Sequence, residues 1–412
     1  MSQLGYMDKL LDGVEVEWKE LWQVTIWDKK FNAVERDKQP RVIKYHYFLA
    51  KDLKSLVLET GNVKLLTTNL SNLWTSEELA GEKVSEGEVI AIPWGGNPVV
   101  QYYKGKFLTT DNRIATSADT DLLNNKFLYY YLLSQIDLIS SFYRGSGIKH
   151  PSMSDVLHIS IPIPPLNVQA EIVRILDTFT ELTAELTAEL TARQQQYAYY
   201  RDKLLTFEEG EVDWKELSEL TLSTSNIKWS DTDSVYRYID LSSVSRENNK
   251  ITETTEITAK NAPSRAKKLV EKNDVIFATT RPTQQRICLI DDEYSGEVVS
   301  TGYCVLRANP SALLPKWIYF HLSSSNFKAY LEDVQSGSAY PAVSDAKVKR
   351  FKIPIPPLAE QKRIVSILDK FDALTTSLTE GLPREIELRQ QQYEYYRDLL
   401  LSFPKPEVVT HD

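Results

Sequence analysis

The sequence has few cysteines and no apolar run long enough to cross a bilayer. Cys288 and Cys304 are the two cysteines among 412 residues, too few for a disulfide framework, and we expect both to be reduced core residues. The histidines and carboxylates show no spacing typical of a metal site. The first residues also lack the pattern of a signal peptide. These absences predict a cytoplasmic protein that contacts no membrane and binds no metal.

The motifs that mark common catalytic sites are also missing. The sequence contains neither the phosphate loop GxxxxGK[ST] nor the dinucleotide motif GxGxxG. GNPVV at 96–100 shares only Asn-Pro with the NPPY motif of methyltransferases, and no PD followed by D/E-x-K indicates a nuclease. We therefore expect a protein that is not an enzyme and binds no cofactor itself. The alternative is a self-sufficient nuclease or methyltransferase whose site follows another pattern.

Positive charge is outnumbered. The chain carries 48 Lys and Arg against 57 Asp and Glu, a net charge of −9. This balance argues against a protein that binds nucleic acid along its whole surface, because phosphate binding needs clustered Lys and Arg. Local basic patches, or partner chains that supply the rest, remain compatible with it. With 42% hydrophobic residues, the chain is long enough for two or more cored domains.

Part of the chain is written twice. Three motifs recur in cyclic order: IPIPPL at 161–166 and 353–358, RQQQYAYYRDKLL at 193–205 as RQQQYEYYRDLLL at 389–401, and VEWKEL at 16–21 as VDWKEL at 212–217. The helical arm of the second copy is four residues longer than that of the first. The fragment Tyr6–Leu11 resembles the continuation of a helix that the chain completes elsewhere. We therefore expect the two termini to lie close together.

The repeated motifs flank helical segments. Residues 169–205 contain no Pro or Gly and carry apolar residues three and four positions apart, which predicts a helix of about 55 Å. A helix of this length needs an apolar partner, and the matching stripe from 364 to 400 offers one. The two stripes predict an antiparallel coiled coil. Gly381 and Pro383 predict a kink or a restart in the second helix.

The stretches between the repeats, about 22–158 and 218–350, differ in sequence but share a skeleton. Corresponding segments are the strands GEVIAIPW (87–94) and NDVIFATT (273–280), the helices KFLYYYL (126–132) and KWIYFHL (316–322), and the segments SFYRGSG (141–147) and DVQSGSA (333–339). The pattern predicts one α/β (α+β) fold that is used twice with different surfaces. The alternative is a duplicated structural domain that has drifted.

The helical segments carry a family resemblance. PIPPLNVQAEIVRILDTFTELTAELTAELTARQQQYAYYRDKLLTF and EIELRQQQYEYYRDLLLSF resemble the central and C-terminal conserved regions of specificity subunits of type I restriction–modification systems, of the IC kind. The resemblance implies two target-recognition domains in a pseudo-twofold cyclic arrangement, each reading one half of a bipartite double-stranded DNA site. The implied bounds are 1–158 for the first domain, with 1–21 as a conserved fragment, 159–207 for the central helix, 208–350 for the second domain, 351–404 for the C-terminal helix and 405–412 for a tail.

The resemblance also implies partners. Two methyltransferase subunits would use S-adenosylmethionine to methylate adenine, and two restriction subunits would use ATP and Mg²⁺ to translocate and cut DNA, while this chain chooses the sequence. Candidates for the docking of partners are Gln194–Gln196, Arg201, Gln390–Gln392 and Arg397; the alternative for them is solvent exposure or contact between the helices. The competing function is a two-domain coiled-coil adaptor without a role in reading DNA.

The central helix contains a short repeat, TAELTAEL. Its members are Thr183, Ala184, Glu185, Leu186, Thr187, Ala188, Glu189 and Leu190. Each copy of four residues adds about 6 Å along a helix, compared with 3.4 Å per DNA base pair. The repeat is therefore a candidate ruler for the unread gap between the half-sites, and the resemblance implies the same role. The alternative is a solvated segment without consequence.

Candidate DNA contacts cluster in Gly-containing and basic loops of the two variable stretches. In the first they are Trp94, Asn97, Asn112, Arg113, Arg144, Lys149 and His150; in the second they are Arg265, Lys267, Lys268, Arg281, Gln284, Gln285 and Arg286. Arg suits guanine and Gln suits adenine by paired hydrogen bonds, and the candidates of the first stretch could contact phosphates or base edges. The alternative for each residue is an ordinary solvated side chain or turn.

Overall fold

The computed structural model describes residues 10, 11, 13–208, 210–246, 248–377 and 379–404. The chain forms two compact units, Met1–Leu182 with Arg389–Asp412, and Thr183–Leu388. Each conserved helical segment therefore contributes to both units instead of forming a domain of its own. The predicted tail 405–412 and residues 6–9 of the fragment Tyr6–Leu11 lie outside the described residues.

Unit 1 has ten described strands, six of which form one mixed sheet. Its strands are β1 (Glu17–Glu20), β2 (Thr25–Trp27), β3 (Val63–Leu66), β4 (Trp74–Thr75), β5 (Ser85–Pro93), β6 (Gln101–Thr109), β7 (Asn112–Ser117), β8 (Tyr143–Arg144), β9 (His150–Pro151) and β10 (Ser160–Ile163). Its short helices are α1 (Leu21–Val24), α2 (Ala50–Lys54), α3 (Glu77–Ala80), α4 (Asn125–Ser134), α5 (Ile136–Ser141) and α6 (Met153–Leu157). Six strands pair in the order β2-β7-β5-β6-β3-β4, and Trp27, Ile90, Phe127 and Leu132 lie in its main core.

Unit 2 places eight of its ten described strands in two four-stranded sheets. Its strands are β11 (Asp213–Glu216), β12 (Thr221–Leu222), β13 (Tyr236–Ile239), β14 (Thr255–Ile257), β15 (Ala266–Leu269), β16 (Val275–Ala278), β17 (Ile287–Leu289), β18 (Val298–Ser300), β19 (Tyr303–Ala308) and β20 (Lys352–Ile355). Its short helices are α8 (Leu217–Leu220), α9 (Pro315–Leu322), α10 (Ser325–Val334) and α11 (Asp345–Lys349). Two four-stranded sheets have the orders β12-β19-β16-β17 and β14-β13-β18-β15.

The repeated motifs form the same framework in both units. In unit 1, the strand of VEWKEL (β1) pairs antiparallel with the strand of IPIPPL (β10), and in unit 2 the equivalent strands β11 and β20 pair in the same way. The predicted strands 87–94 and 273–280 are β5 and β16, and the predicted helices 126–132 and 316–322 lie in α4 and α9. One α/β framework is thus used twice, as the sequence predicted.

A buried glutamine ties each helical segment to its unit. Gln169 donates from Nε2 to the carbonyls of Leu122 and Pro164 and accepts the backbone N–H of Asn124. Gln361, in the equivalent position, donates to Ala312 and Pro356 and accepts the N–H of Leu314. Both glutamines are completely buried, so these bonds fix the start of each helix against the variable fold.

The first helical segment is continuous and the second is broken. Helix α7 (Leu166–Leu205) has 40 residues, whereas the second segment forms α12 (Leu358–Thr376) and α13 (Gly381–Leu400). The interruption between them accounts for the four residues by which the second arm is longer. Gly381 has φ +80°, and a Cβ there would lie 2.6 Å from the carbonyl oxygen of Ala373. The kink predicted at Gly381 and Pro383 is confirmed.

Aromatic side chains join the helical segments within each unit. In unit 1, Phe179 of α7 stacks on Tyr396 of α13, with ring centroids 5.3 Å apart. In unit 2, Tyr197 and Tyr200 of α7 stack on Phe371 of α12. The early part of α7 thus packs on the last helix and its late part on α12, which is the pairing expected of antiparallel helices.

The described beginning and end of the chain meet in unit 1. The indole N–H of Trp18 donates to the carbonyl of Pro404 over 3.0 Å. Leu10 and Leu11 pack in the same core as Leu400 and Phe403. The expected proximity of the termini holds for these residues, and it makes the order of the repeats cyclic in space as well as in sequence.

Candidate nucleic-acid interface

The three candidate segments of unit 1 meet at the end of β5. The backbone N–H of Trp94 donates to the carbonyl of Asp111, and that of Gly96 donates to the carbonyl of Lys149. The ring of Trp94 contacts two neighbouring side chains: the guanidinium of Arg113 is 4.0 Å from its centroid and the imidazole of His150 is 5.3 Å away. Segments separated by some fifty residues therefore form one surface.

Two of the candidates in unit 1 lie beneath this surface. Asn112 is 0% and Arg113 5% exposed. The amide of Asn112 donates to the carbonyls of Leu66 and Thr67, and Arg113 donates to Asp111. The burial of both side chains does not support the prediction that they contact DNA directly: the Trp94 ring covers the guanidinium of Arg113, and strand packing encloses Asn112. In this structure Arg113 supports the ring of Trp94, and Asn112 joins β7 to the end of β3.

The exposed candidates of unit 1 lie on a hairpin and on the adjoining loop. Arg144 and His150 are paired residues of the β8–β9 hairpin, and Lys149 and Asn97 are exposed beside them. His150 is fixed by a 2.7 Å hydrogen bond between Nδ1 and the carbonyl of Trp94, and Arg144 lies 3.1 Å from Asp155. These four side chains can reach a nucleic acid.

The candidates of unit 2 lie on a turn between β16 and β17 and on β15. Arg281 and Gln285 both have left-handed backbone conformations, with φ 49° and 47°. Such conformations are strained for residues other than Gly and occur often at functional loops. The N–H of Thr301 donates to the carbonyl of Arg265 and that of Thr279 to Gly302. The turn at Thr301 and Gly302, between β18 and β19, thus bonds to both the SRAKK and the TTRPTQQR segments.

The side chains of these segments divide into accessible and structural groups. Arg265, Lys267, Arg281 and Gln284 are exposed, and Arg286 is half-buried. Gln285 instead donates to the carbonyls of Leu322 and Ser324, and Lys268 bonds the carbonyl of Tyr303 and the carboxylate of Asp345. In this structure Gln285 and Lys268 hold the loops in place, so the prediction that they contact DNA is not supported by their geometry.

Both units build the interface on the same backbone plan. In unit 1 the hairpin of Arg144 and His150 lies against the loop that follows β5. In unit 2 Ser336 and Ala342 form the equivalent bridge, and Arg281 donates its N–H to the carbonyl of Pro341. The plan is common to both units while the side chains differ, which is the arrangement expected of two readers of different sequences.

Comparison with known proteins agrees with this geometry. The family model for the type I restriction modification DNA specificity domain matches residues 50–193 and again 211–388. The chain belongs to this family. It is 35% identical to the type I restriction enzyme EcoR124I/EcoR124II specificity subunit of Escherichia coli, over 100% of both chains. It is 32% identical to a protein of Haemophilus influenzae named for the same role, over 97% of this chain and 98% of that protein.

A solved structure shares the fold. The type I restriction–modification S subunit from M. genitalium superposes with a TM-score of 0.56 over 96% of this chain and 98% of the other, at 16% identity. The family match and the full-length relatives together make the protein a specificity subunit of a type I restriction–modification system. None of the helices in the described residues is long and apolar enough to span a membrane.

The cysteines of the specificity subunit are core residues. Cys288 and Cys304 are unpaired and buried, and burial raises the pKa of each thiol to about 12. The described part of the chain also holds no cluster of three His, Cys, Asp or Glu residues that could bind a metal ion. Both thiols pack in hydrophobic cores of unit 2, Cys304 in one and Cys288 in another.

The TAEL repeat of the specificity subunit begins at the boundary between the two units. Thr183–Leu190 is helical throughout, with Leu186 and Leu190 half-buried and Leu182 before them exposed. Thr187 donates its hydroxyl to the carbonyl of Thr183. The repeat is therefore a largely solvated length of helix, and only part of the predicted leucine stripe is packed.

The candidate docking residues also divide by exposure. Gln194, Gln195 and Gln390–Gln392 are exposed, whereas Gln196 is half-buried and accepts from Arg193. Arg201 and Arg397 are half-buried, because each lies over a tyrosine of its own helix, Tyr197 or Tyr393, and bonds the adjacent aspartate. The arginines thus stabilise their own helices, and the exposed glutamines remain accessible to a partner.

Proposed function

We propose that this specificity subunit reads a bipartite double-stranded DNA site, with unit 1 reading one half and unit 2 the other. The observation that carries the proposal is the loop-and-hairpin surface present once in each unit. Because its backbone plan is shared and its side chains differ, the two surfaces present different hydrogen-bonding groups to base edges. A structural duplication without a DNA role gives no reason for accessible basic groups at the same place in both units.

The chemistry of the exposed groups suits this role. In unit 1, Asn97 offers an amide for adenine, and Arg144 and Lys149 offer charges for phosphate or guanine. In unit 2, Gln284 and Arg281 offer the same two kinds of group. Since the net charge is −9, these patches cover few phosphates, and partner chains supply the remaining positive surface of the clamp.

We place the partners on the repeated helix ends. The sequence QYxYYRD is present in both helical segments and exposes Tyr199 in one and Tyr395 in the other, together with the neighbouring glutamines. Tyrosine suits an interface because it combines apolar area with a polar end. Two equal surfaces fit two copies of one methyltransferase subunit, which uses S-adenosylmethionine. Two restriction subunits that use ATP and Mg²⁺ complete the complex.

The TAEL repeat sets the unread gap in this proposal. Deletion of Thr183–Leu186 shortens the helix by about 6 Å, so we expect a gap shorter by one or two base pairs and unchanged half-sites. The control is Glu185→Gln, which changes charge without changing helix length. An unchanged gap in the deletion variant would reject the ruler.

Sequencing of DNA methylation tests the function itself. The chain is expressed with its methyltransferase subunit in a host free of N6-methyladenine, and the host genome is sequenced with and without the chain. A split motif with a fixed gap that requires this chain supports the proposal. Stable co-purification with the methyltransferase but no motif would instead indicate the adaptor function.

A further inference from the structure

The hairpins of the two units carry large apolar side chains at their tips. Ile148 is 71% exposed and Tyr340 is 73% exposed, the highest values among the large apolar side chains of the described residues. The two residues are separated by the same distance along the chain as the two IPIPPL motifs. They therefore occupy one position of the repeated fold, and the apolar exposure recurs with it.

Each tip is held in place by a glycine three residues earlier. Gly145 has φ +139° and Gly337 has φ +94°, and a Cβ at either position would lie 3.0 Å from the carbonyl oxygen of the tip residue. The two hairpins thus close in the same way. A tip with a fixed backbone loses little conformational entropy when it meets a ligand.

Each tip side chain packs on a residue of the neighbouring loop. In unit 1 a Cβ at Gly95 would lie 2.9 Å from Cγ2 of Ile148, so the isoleucine packs directly on the glycine backbone. In unit 2 the tip is supported by Arg281, whose guanidinium lies 5.6 Å from the centroid of Tyr340. Each unit thus supports its tip with a different residue of the loop that follows β5 or β16, and the tip side chain stays exposed in both units.

The groups around the tips are those that bind DNA. Arg144 and Lys149 flank Ile148 in sequence, His150 follows, and Arg281 accompanies Tyr340. Positive groups beside an exposed apolar side chain fit a ligand with an anionic backbone and apolar base surfaces. A purely apolar protein partner would gain nothing from these positive groups. Their charge is also opposite in sign to the net charge of the chain, which is −9.

We propose that Ile148 and Tyr340 are equivalent specificity residues that pack against the bases of double-stranded DNA, one in each half-site. Ile148 presents an aliphatic surface that suits the methyl group of thymine, and Tyr340 presents a ring edge and a hydroxyl beside Arg281. The inference rests on the proposed function, and it adds that each half-site is read partly by a nonpolar contact at one repeated position.

The test uses the complex of the specificity subunit with its methyltransferase. Ile148→Ala and Tyr340→Ala are compared with Ile148→Val and Tyr340→Phe, which keep the apolar contact. The matched surface controls are Leu70→Ala in unit 1 and Val235→Ala in unit 2, since both positions are also exposed. Readouts are co-purification with the methyltransferase, affinity for the methylated site as a duplex, and the methylated motif.

We expect each alanine variant to weaken binding of the cognate duplex roughly tenfold, as loss of one base contact does. The motif should relax in the half read by the altered unit alone, and the conservative and control variants should stay within about twofold. Unchanged motif and affinity in both alanine variants would overturn the inference. Loss of the methyltransferase from the complex would also overturn it, because the tips would then bind protein. A wild-type complex without any motif would instead reject the proposed function.

Discussion

The two units differ in the sheets of their variable folds. They share the framework of strand pairs and helices that carries those sheets. Unit 1 has one six-stranded sheet, whereas unit 2 distributes eight strands over two four-stranded sheets. In both units, however, an antiparallel strand pair and one buried glutamine hold the helical segment. The comparison teaches that the attachment to the helices was kept while the sheet that displays the loops was free to change.

The largest effect in this comparison is expected at the buried glutamines. Gln169→Leu and Gln361→Leu each leave two carbonyls and one N–H without a partner, which costs about 3 kcal/mol of the free energy of unfolding. Urea denaturation of the purified chain measures this loss. If the framework is equivalent in the two units, the two variants lose similar amounts.

The control for the glutamines is Gln194→Leu, an exposed position, which should change stability by less than about 0.5 kcal/mol. A large loss in only one of the two buried variants would show that the units are held in different ways.

A smaller effect is expected at the break that distinguishes the second helical segment. Gly381→Ala places a Cβ 2.6 Å from a carbonyl oxygen at a φ of +80°, so we expect a loss of about 2 kcal/mol. Thermal unfolding followed by circular dichroism measures it. Gly147→Ala, which meets no atom within 4 Å, serves as control. A stable Gly381→Ala variant would mean that the break is not fixed by this glycine.

The aspartates of the two ILD motifs sharpen the comparison further. Asp177 accepts from Lys126 over 2.8 Å and from Tyr130 over 2.6 Å, whereas Asp369 is bridged to Lys316 over 2.7 Å. Both sites are partly exposed, so we expect Asp177→Ala to lose about 1 kcal/mol and Asp369→Ala about 0.3 kcal/mol. Paired denaturation curves decide it, and the reverse order would contradict the role given to the Tyr130 hydroxyl.

The smallest effect is expected in thiol labelling, which reports on unit 2 alone. Both cysteines belong to unit 2 and are buried, with pKa values raised to about 12. At pH 8 the reactive thiolate is therefore scarce and shielded, and the folded chain should show almost no labelling within an hour. The unfolded chain should show two labels. Rapid labelling of the folded chain would reveal that the sheets of unit 2 open more readily than their packing indicates.

The repeats, the long helix, its interrupted counterpart and the shared strands could be predicted because their signals are local. Apolar residues at helical spacing define α7, and Gly381 with Pro383 interrupts the second segment. Charge and turn residues also indicated the loops of the candidate interface, including the segments of Trp94 and Arg281. These features depend on neighbours in sequence, which can be read without knowing the fold.

The site itself was predicted only in part. Asn112 and Arg113 were chosen for their side-chain chemistry, but strand packing buries both. Ile148 and Tyr340, which we propose as specificity residues, were not among the predicted contacts because an apolar residue in a loop carries no charge signal. The correspondence of SFYRGSG with DVQSGSA could have led to them, since the tip lies immediately beyond each segment.

The sequence by itself determined the duplication, the helical segments, the position of their break and the family to which the chain belongs. Only the tertiary structure decided the sheet arrangement of each unit, which basic residues are covered, and that Ile148 lies on Gly95 while Tyr340 lies beside Arg281. The physical reason is that periodicity and backbone restriction act between near neighbours. Burial depends on contacts between residues far apart in the chain.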